Sequence, residues 1–351
     1  MSNVESPIVI PVYVSNLGCP HRCVFCDQTQ YSEPVPPDSI RDYAFKFISG
    51  CRMPKERHRI LAFYGGSFTG IEEGLFNSYL NAGNILVKEG LVHGLKASTR
   101  PDMIDEENLS RLKQAGFVEL EIGAQSMDDG VLDASMRGHT ADDTKKAANL
   151  VKLSGLKLGI QIMPGLPDED KESFIRTVHS ICELRPDIAR IYPTVVVKGT
   201  KLESIYAEGI FQPLSLDAAV QMALYAYIRL KIAGAEILRM GVPVEGLNIV
   251  AGPVHLSFGF LVKSHAYKLM VQKAFDRFNI AAALERGTSR DVVANVNPHD
   301  LQELIGYKRE NIKGFGFGYT ADSSLPRGQI IVHSGKESAC FKFEDILNHI
   351  I

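Results

Sequence analysis

Residues 118–125, VELEIGAQ, place Val118, Leu120 and Ile122 on one face of an extended chain and Glu119, Glu121, Gly123 and Gln125 on the other, because successive side chains of a strand point to opposite faces. Residues 156–163, LKLGIQIM, repeat the pattern, with Leu156, Leu158, Ile160 and Ile162 opposing Lys157, Gly159, Gln161 and Met163. A parallel sheet covered by helices on both faces needs strands that are apolar throughout. One dry face and one polar face fit a barrel or partial barrel instead, with the apolar side toward helices and the polar side lining a cavity.

Outward from these two strands, β-rich runs at 60–66, 92–99 and 188–197 join 117–124 and 156–164, and stretches of helical period at 71–90, 104–115, 140–154 and 169–184 lie between them. Strand and helix in alternation imply parallel strands with crossover helices. With the run IVIPVYV at 8–14 the count is six β/α units, so the expected fold class is α/β, a partial (β/α)6 TIM-like barrel. A helical segment at 215–233, a short strand in AEILRMGV, a second helix at 256–277 and a tail with strands in DVVANV, GQIIVH and SACFKF follow. The tail from about 285 reads as a small C-terminal α+β appendage, and the chain divides into 1–240, the barrel, and 241–351, a C-terminal helical and small α+β region.

The 351 residues are 45% hydrophobic, enough for a large core, and the formal charge of −3 sets up no global basic field that would draw the chain to nucleic acid. The first residues lack a basic n-region, and no apolar run reaches the ~18 residues that span a bilayer. The expectation is a cytoplasmic protein with no membrane contact. Six cysteines in such a chain stay reduced. Cys51, Cys182 and Cys340 stand singly and read as small buried hydrophobes.

The other three stand together in GCPHRCVFC at 18–26. The spacing C-x-x-x-C-x-x-C suits thiolate ligation of zinc or of an iron–sulfur cluster. Zinc wants a fourth ligand, for which His21 inside the first gap is the local candidate; a cubane on three cysteines leaves one iron open for chemistry. Four further motifs, YGGSFTG, STRPD, AQS and MPGLP, fall with the cysteines at strand carboxyl ends, where barrel enzymes place their active sites. A glycine pair such as Gly65–Gly66 lets backbone approach a ligand closely.

GCPHRCVFC after a first barrel strand resembles the signature of the radical SAM superfamily. The resemblance implies a 4Fe-4S cluster on Cys19, Cys23 and Cys26, with S-adenosyl-L-methionine (SAM) chelated to the fourth iron. One electron then cleaves the sulfonium to a 5′-deoxyadenosyl radical that takes hydrogen from substrate. It further implies Phe25 against the adenine and Gly65, Gly66 and Ser67 at the methionine amino group. By similarity to the oxygen-independent coproporphyrinogen oxidase branch, Ser98, Gln125, Arg137 and Gln161 hold the ribose hydroxyls and the methionine carboxylate. A planar Arg fork suits that carboxylate.

The ordered series STRPD, LEIGAQS, RGHT, MPGLP and YPTVVVKGT over roughly residues 10–200 is similar to the radical SAM domain of the Elongator catalytic subunit and its short bacterial relatives. That implies a tRNA base as substrate and a reductant such as flavodoxin or ferredoxin. The first cysteine gap is shorter than Elongator's and the last ~150 residues do not resemble its acetyltransferase domain. A small metabolite or tetrapyrrole as substrate, and a non-catalytic iron–sulfur or zinc module, are the other readings. His139, His255, Tyr192 and Lys198 are further candidates near substrate. The basic stretches CRMPKERHR (51–59) and GYKRENIKG (306–314) are candidates for RNA phosphates, and Asp168, Glu169 and Asp170 read as acidic residues at a helix N-terminus.

Overall fold

The computed structural model describes residues 7–27, 33–51, 57–243, 246–280 and 292–350, which leaves most of the CRMPKERHR stretch outside the described residues. Strands β1 (Ile8–Tyr13), β2 (Arg59–Tyr64), β3 (Gly94–Thr99), β4 (Phe117–Gln125) and β5 (Lys157–Ile162) form parallel neighbours in chain order. The run at 188–197 splits in two. Pro193, which has no N–H to give a ladder, separates β6 (Ile188–Ile191), next in the large sheet, from β7 (Val196–Val197). The short strand of AEILRMGV, β8 (Glu236–Met240), pairs parallel with β6 and becomes the seventh strand. The sheet curls into a half-barrel, so the six-unit count holds with one strand added at its edge. β7 turns away to pair antiparallel with β9 (Ile249–Ala251).

Helix α1 (Ile40–Gly50) follows β1, without a counterpart among the expected helices. Helices α2 (Glu73–Lys88), α3 (Glu106–Ala115), α4 (Asp129–Ala134), α5 (Ala141–Ser154) and α6 (Lys171–Glu183) then lie between strands β2 to β6. Their starts are written locally. Thr140 and Asp143 form a reciprocal capping box at α5, and Asp170 does the same with Ser173 at α6. The apolar face of the strands (Leu120, Ile122, Leu158, Ile160) is fully buried against these helices. Val118, expected on that face, is instead 42% exposed, because a register shift against β3 leaves it as the extra residue between Phe117 and Glu119, and Phe117 takes the buried place.

Helix α7 (Lys201–Ala207) follows β7. Helix α8 (Leu216–Ile232) is buried along most of its length and packs on α6, β8 and α9 (Phe258–Arg277). α9 carries the C-terminal sheet, whose strands β10 (Val292–Val296), β11 (Gly318–Ala321), β12 (Gln329–Ser334) and β13 (Glu337–Lys342) run in the order β11-β10-β12-β13. Of the scattered cysteines, Cys182 is half-buried and packs on the core as expected, whereas Cys51 is only partly buried and Cys340 is exposed. No helix among the described residues is long and apolar enough to cross a membrane.

Candidate functional site

The cysteine loop leaves the carboxyl end of β1 and is laced to the loop after β2. Asn16 N–H donates to Gly65 O at 2.6 Å and Ser67 N–H to Leu17 O at 2.9 Å. This approach is possible only without side chains. A Cβ on Gly18 would lie 2.1 Å from Ser67 O, and one on Gly66 would lie 2.5 Å from Leu17 O. The glycine pair is thus occupied, at least in part, in holding the cysteine loop. The Ser67 hydroxyl is buried and bonded to Thr99 Oγ1 at 2.9 Å, and it accepts from Arg100 N–H at 3.2 Å.

On the far side, Val24 N–H donates to Ser135 O at 3.1 Å, and Leu202 N–H at the start of α7 donates to Val24 O at 2.8 Å. Val24 is buried with Val196, Leu202 and Phe211, and Phe25 packs on this group. Cys23 and Cys26 line a cavity of about 360 Å³ with Arg22, Met136, Thr200 and Lys201. Cys26 is pushed up to about 12, first by burial and then by the neighbouring Cys23 and Cys19 charges; burial and Cys23 also raise Cys19.

Arg137 reaches the thiols directly. Its Nη1 donates to Cys23 Sγ at 3.2 Å and its Nη2 to Gly123 O at 2.5 Å, while its Nε is buried without a partner. Arg100, missed as a site residue although STRPD was singled out, forks onto Asp102 at 2.9 and 3.0 Å and donates to Arg137 O at 2.5 Å. It thereby fixes the backbone that carries Arg137. Gln125, at φ +67° beside a register shift in β4, sits on the concave side with Gly123, its Nε2 2.9 Å from where a Cβ on Gly123 would be. There Gln161 Nε2 donates to Gln125 Oε1 at 3.1 Å, and Ser98 Oγ donates to Glu121 Oε1 at 3.1 Å. Ser98, Gln125, Arg137 and Gln161 therefore share the concave face behind the cysteines.

Charged side chains pair across that face. Lys96 Nζ lies 3.3 Å from Glu119, and Arg190 Nε lies 2.6 Å from Glu121 at an angle too poor for a hydrogen bond. Arg190 also donates to Tyr192 OH at 2.7 Å and Tyr64 OH at 2.8 Å. Alternation revealed which residues face inward; pairing across strands depends on register and was not legible. His139 is buried and lowered to about 3, by desolvation first and then by the Arg137 and Arg100 charges, so at neutral pH it is the neutral imidazole and not an imidazolium acid. His255 accepts from Ser257 N–H at 3.1 Å and stacks edge-on with Tyr307.

Glu169 departs from the plain acidic cap expected of it; Asp170 is the cap. Glu169 Oε2 accepts from Gly165 N–H at 2.6 Å, Oε1 is buried without a partner, and burial pushes the carboxyl up to about 8. A carboxyl raised in the folded state stabilises fully below its unfolded value, and that stability is lost as pH rises through the folded one. Glu169→Gln should therefore be more stable than the parent at pH 8 by about 2–4 kcal/mol and match it near pH 4.5. Denaturant unfolding at both values checks this; an equal offset at the two pH values refutes it.

The donor set, three free thiols on one loop, suits an iron–sulfur cluster with one iron left open. Among the described residues no three His, Cys, Asp or Glu side chains converge as ligands of one metal ion. The His21 ring lies on Gly138, 2.5 Å from where a Cβ there would be. The cavity beside two of the thiols and the unpartnered Arg137 Nε fit a cluster with a carboxylate-bearing ligand beside it.

Two family models match the chain: Radical SAM superfamily at residues 13–181 and Radical_SAM C-terminal domain at residues 186–268. A tRNA uridine(34) acetyltransferase of Methanocaldococcus jannaschii is 27% identical over 264 residues, 64% of this chain and 49% of that protein. The chain thus spans about half the length of such curated relatives. An uncharacterized protein of the same organism is 30% identical over 229 residues, 61% of this chain and 69% of its own length. Among solved structures, an archaeal Methanocaldococcus infernus Elp3 with an N-terminal deletion superposes with TM-score 0.60 at 23% identity, covering 78% of this chain and 64% of that one, a likeness of fold. Three cysteines on one loop at the rim of a half-barrel and a family match that begins at the end of its first strand lead to one conclusion: this chain belongs to the radical SAM superfamily.

Proposed function

We propose that the chain holds a 4Fe-4S cluster on Cys19, Cys23 and Cys26, cleaves SAM reductively and modifies a base of tRNA. Cys19, Cys23 and Cys26 would hold the cluster, which would supply the one electron that cleaves the sulfonium to methionine and a 5′-deoxyadenosyl radical able to take hydrogen from substrate. Arg137 offers Nε to the methionine carboxylate while its other nitrogens remain on Cys23 and Gly123. Gly65, Gly66 and the Ser67 backbone face the amino group, Gln125, Gln161 and Ser98 the ribose, and Phe25 the adenine. Residues 1–240 carry this site and 241–351 an accessory region. A flavodoxin- or ferredoxin-type donor supplies the electron, in the cytoplasm.

The tRNA reading is carried by the 264-residue match to a tRNA uridine(34) acetyltransferase; acetyl transfer is not part of it. Nucleoside profiling of tRNA from cells with and without the gene is expected to show one modified nucleoside lost with the gene. An unchanged profile would refute the tRNA reading and leave the SAM chemistry standing.

A further inference from the structure

The Radical_SAM C-terminal match ends at residue 268, so the C-terminal sheet and its connections lie beyond what either family model describes. In that region Lys308 and Arg309, both fully side-chained, stand consecutively in the left-handed region at φ +50° and +63°. Only glycine, and to a lesser degree asparagine or aspartate, adopts that backbone without strain. Both residues are exposed. Two strained positions that retain a long basic side chain point to a use for the side chains, because strain persists where it serves a site.

Tyr307 precedes them as a braced aromatic. The His255 ring meets it edge-on with centroids 5.2 Å apart, and Lys308 Nζ lies 5.2 Å from its centroid. His255 follows β9 by four residues, a span of at most about 14 Å. β9 pairs with β7, and α7, the next element, bonds to the cysteine loop through Leu202 and Val24. The β7–β9 ribbon therefore links this turn to the rim that carries the cysteines, where Arg22 and Lys201 line the cavity beside Cys23 and Cys26.

We propose that the Tyr307–Lys308–Arg309 turn is an RNA-docking surface that holds the phosphate backbone of a tRNA while its target base enters the rim. The proposal rests on the tRNA reading above. Cations beside a fixed aromatic ring are the combination that grips a polynucleotide, since cations take phosphates and the ring stacks on a base. It also reconciles a chain of net charge −3 with a polyanionic substrate, through a local patch in place of a global field.

The test is tRNA affinity of the full chain, by fluorescence anisotropy with an unmodified tRNA transcript across a salt series. Lys308→Gly with Arg309→Gly removes both cations and relaxes the backbone. The dissociation constant should rise about tenfold, and the slope of log affinity against log salt should fall by about 1.5. The melting temperature should hold or rise, and 5′-deoxyadenosine formed without RNA should be unchanged. Lys308→Asn with Arg309→Asn, which also tolerates the left-handed backbone, should behave alike.

Equal affinity and slope in parent and variants would overturn this surface while leaving the tRNA reading intact. Failure of the parent itself to bind tRNA would overturn both. Unchanged tRNA affinity with slower reduction by an acidic flavodoxin-type donor would reassign the turn to protein docking and overturn the RNA assignment.

Discussion

A chain carrying Cys23→Ala, reconstituted anaerobically with iron and sulfide and given SAM and a strong reductant, is expected to form 5′-deoxyadenosine more than ~100-fold more slowly than the parent. That figure is a floor, because loss of an outer-shell partner of a metal ligand already costs 10–100-fold. Cys23 is buried at 7% exposure, lines the cavity with Cys26, and is the thiol that Arg137 contacts at 3.2 Å. The substitution removes a ligand and leaves a buried guanidinium nitrogen facing a methyl group. Iron bound per chain should fall in parallel with the product. Cys182→Ala and Cys340→Ala, far along the chain and outside the rim, should form product at the parental rate. Product from Cys23→Ala equal to that of the parent would refute the cluster assignment.

How much of this was legible in sequence depends on whether the information was local. The acidic start of α6 and the inward alternation of Glu119 and Glu121 are local, and each is found where the sequence places it. Partners across strands are not local. Lys96 pairs with Glu119 and Arg190 with Glu121 because register sets the four strands β3 to β6 side by side. Arg100 is structural support for Arg137 only because STRPD and RGHT meet at the rim. Glu169 looked like an ordinary first-turn acid, since its burial comes from the loop folded over it. The break in 188–197 had a local signal, Pro193, which the apolar run masked.

The second large effect is expected at a position with no side chain. Gly18→Ala should destabilise the chain by about 3–8 kcal/mol and strip most of its reconstituted iron. Two costs add. At φ +73° an alanine carries a left-handed penalty of about 1–2 kcal/mol. Its Cβ would also lie 2.1 Å from Ser67 O and 2.6 Å from backbone atoms of Gly70 and Ile71. All three are backbone atoms, so no side chain can swing aside, and the cysteine loop must separate from the loop after β2. That breaks the bonds Asn16 N–H to Gly65 O and Ser67 N–H to Leu17 O, at about 1–3 kcal/mol for each buried group left unpaired. Gly90→Ala isolates the first cost, because Gly90 has φ +70° and nothing within 4 Å of its would-be Cβ. It should lose about 1–2 kcal/mol and keep its iron. Denaturant unfolding together with iron and sulfide analysis reads both variants. If Gly18→Ala proves no worse than Gly90→Ala on both measures, the contact between the two loops does not hold the cysteines in place. If it is worse in stability and in iron together, the close approach of the two loops is what presents three thiols to one cluster.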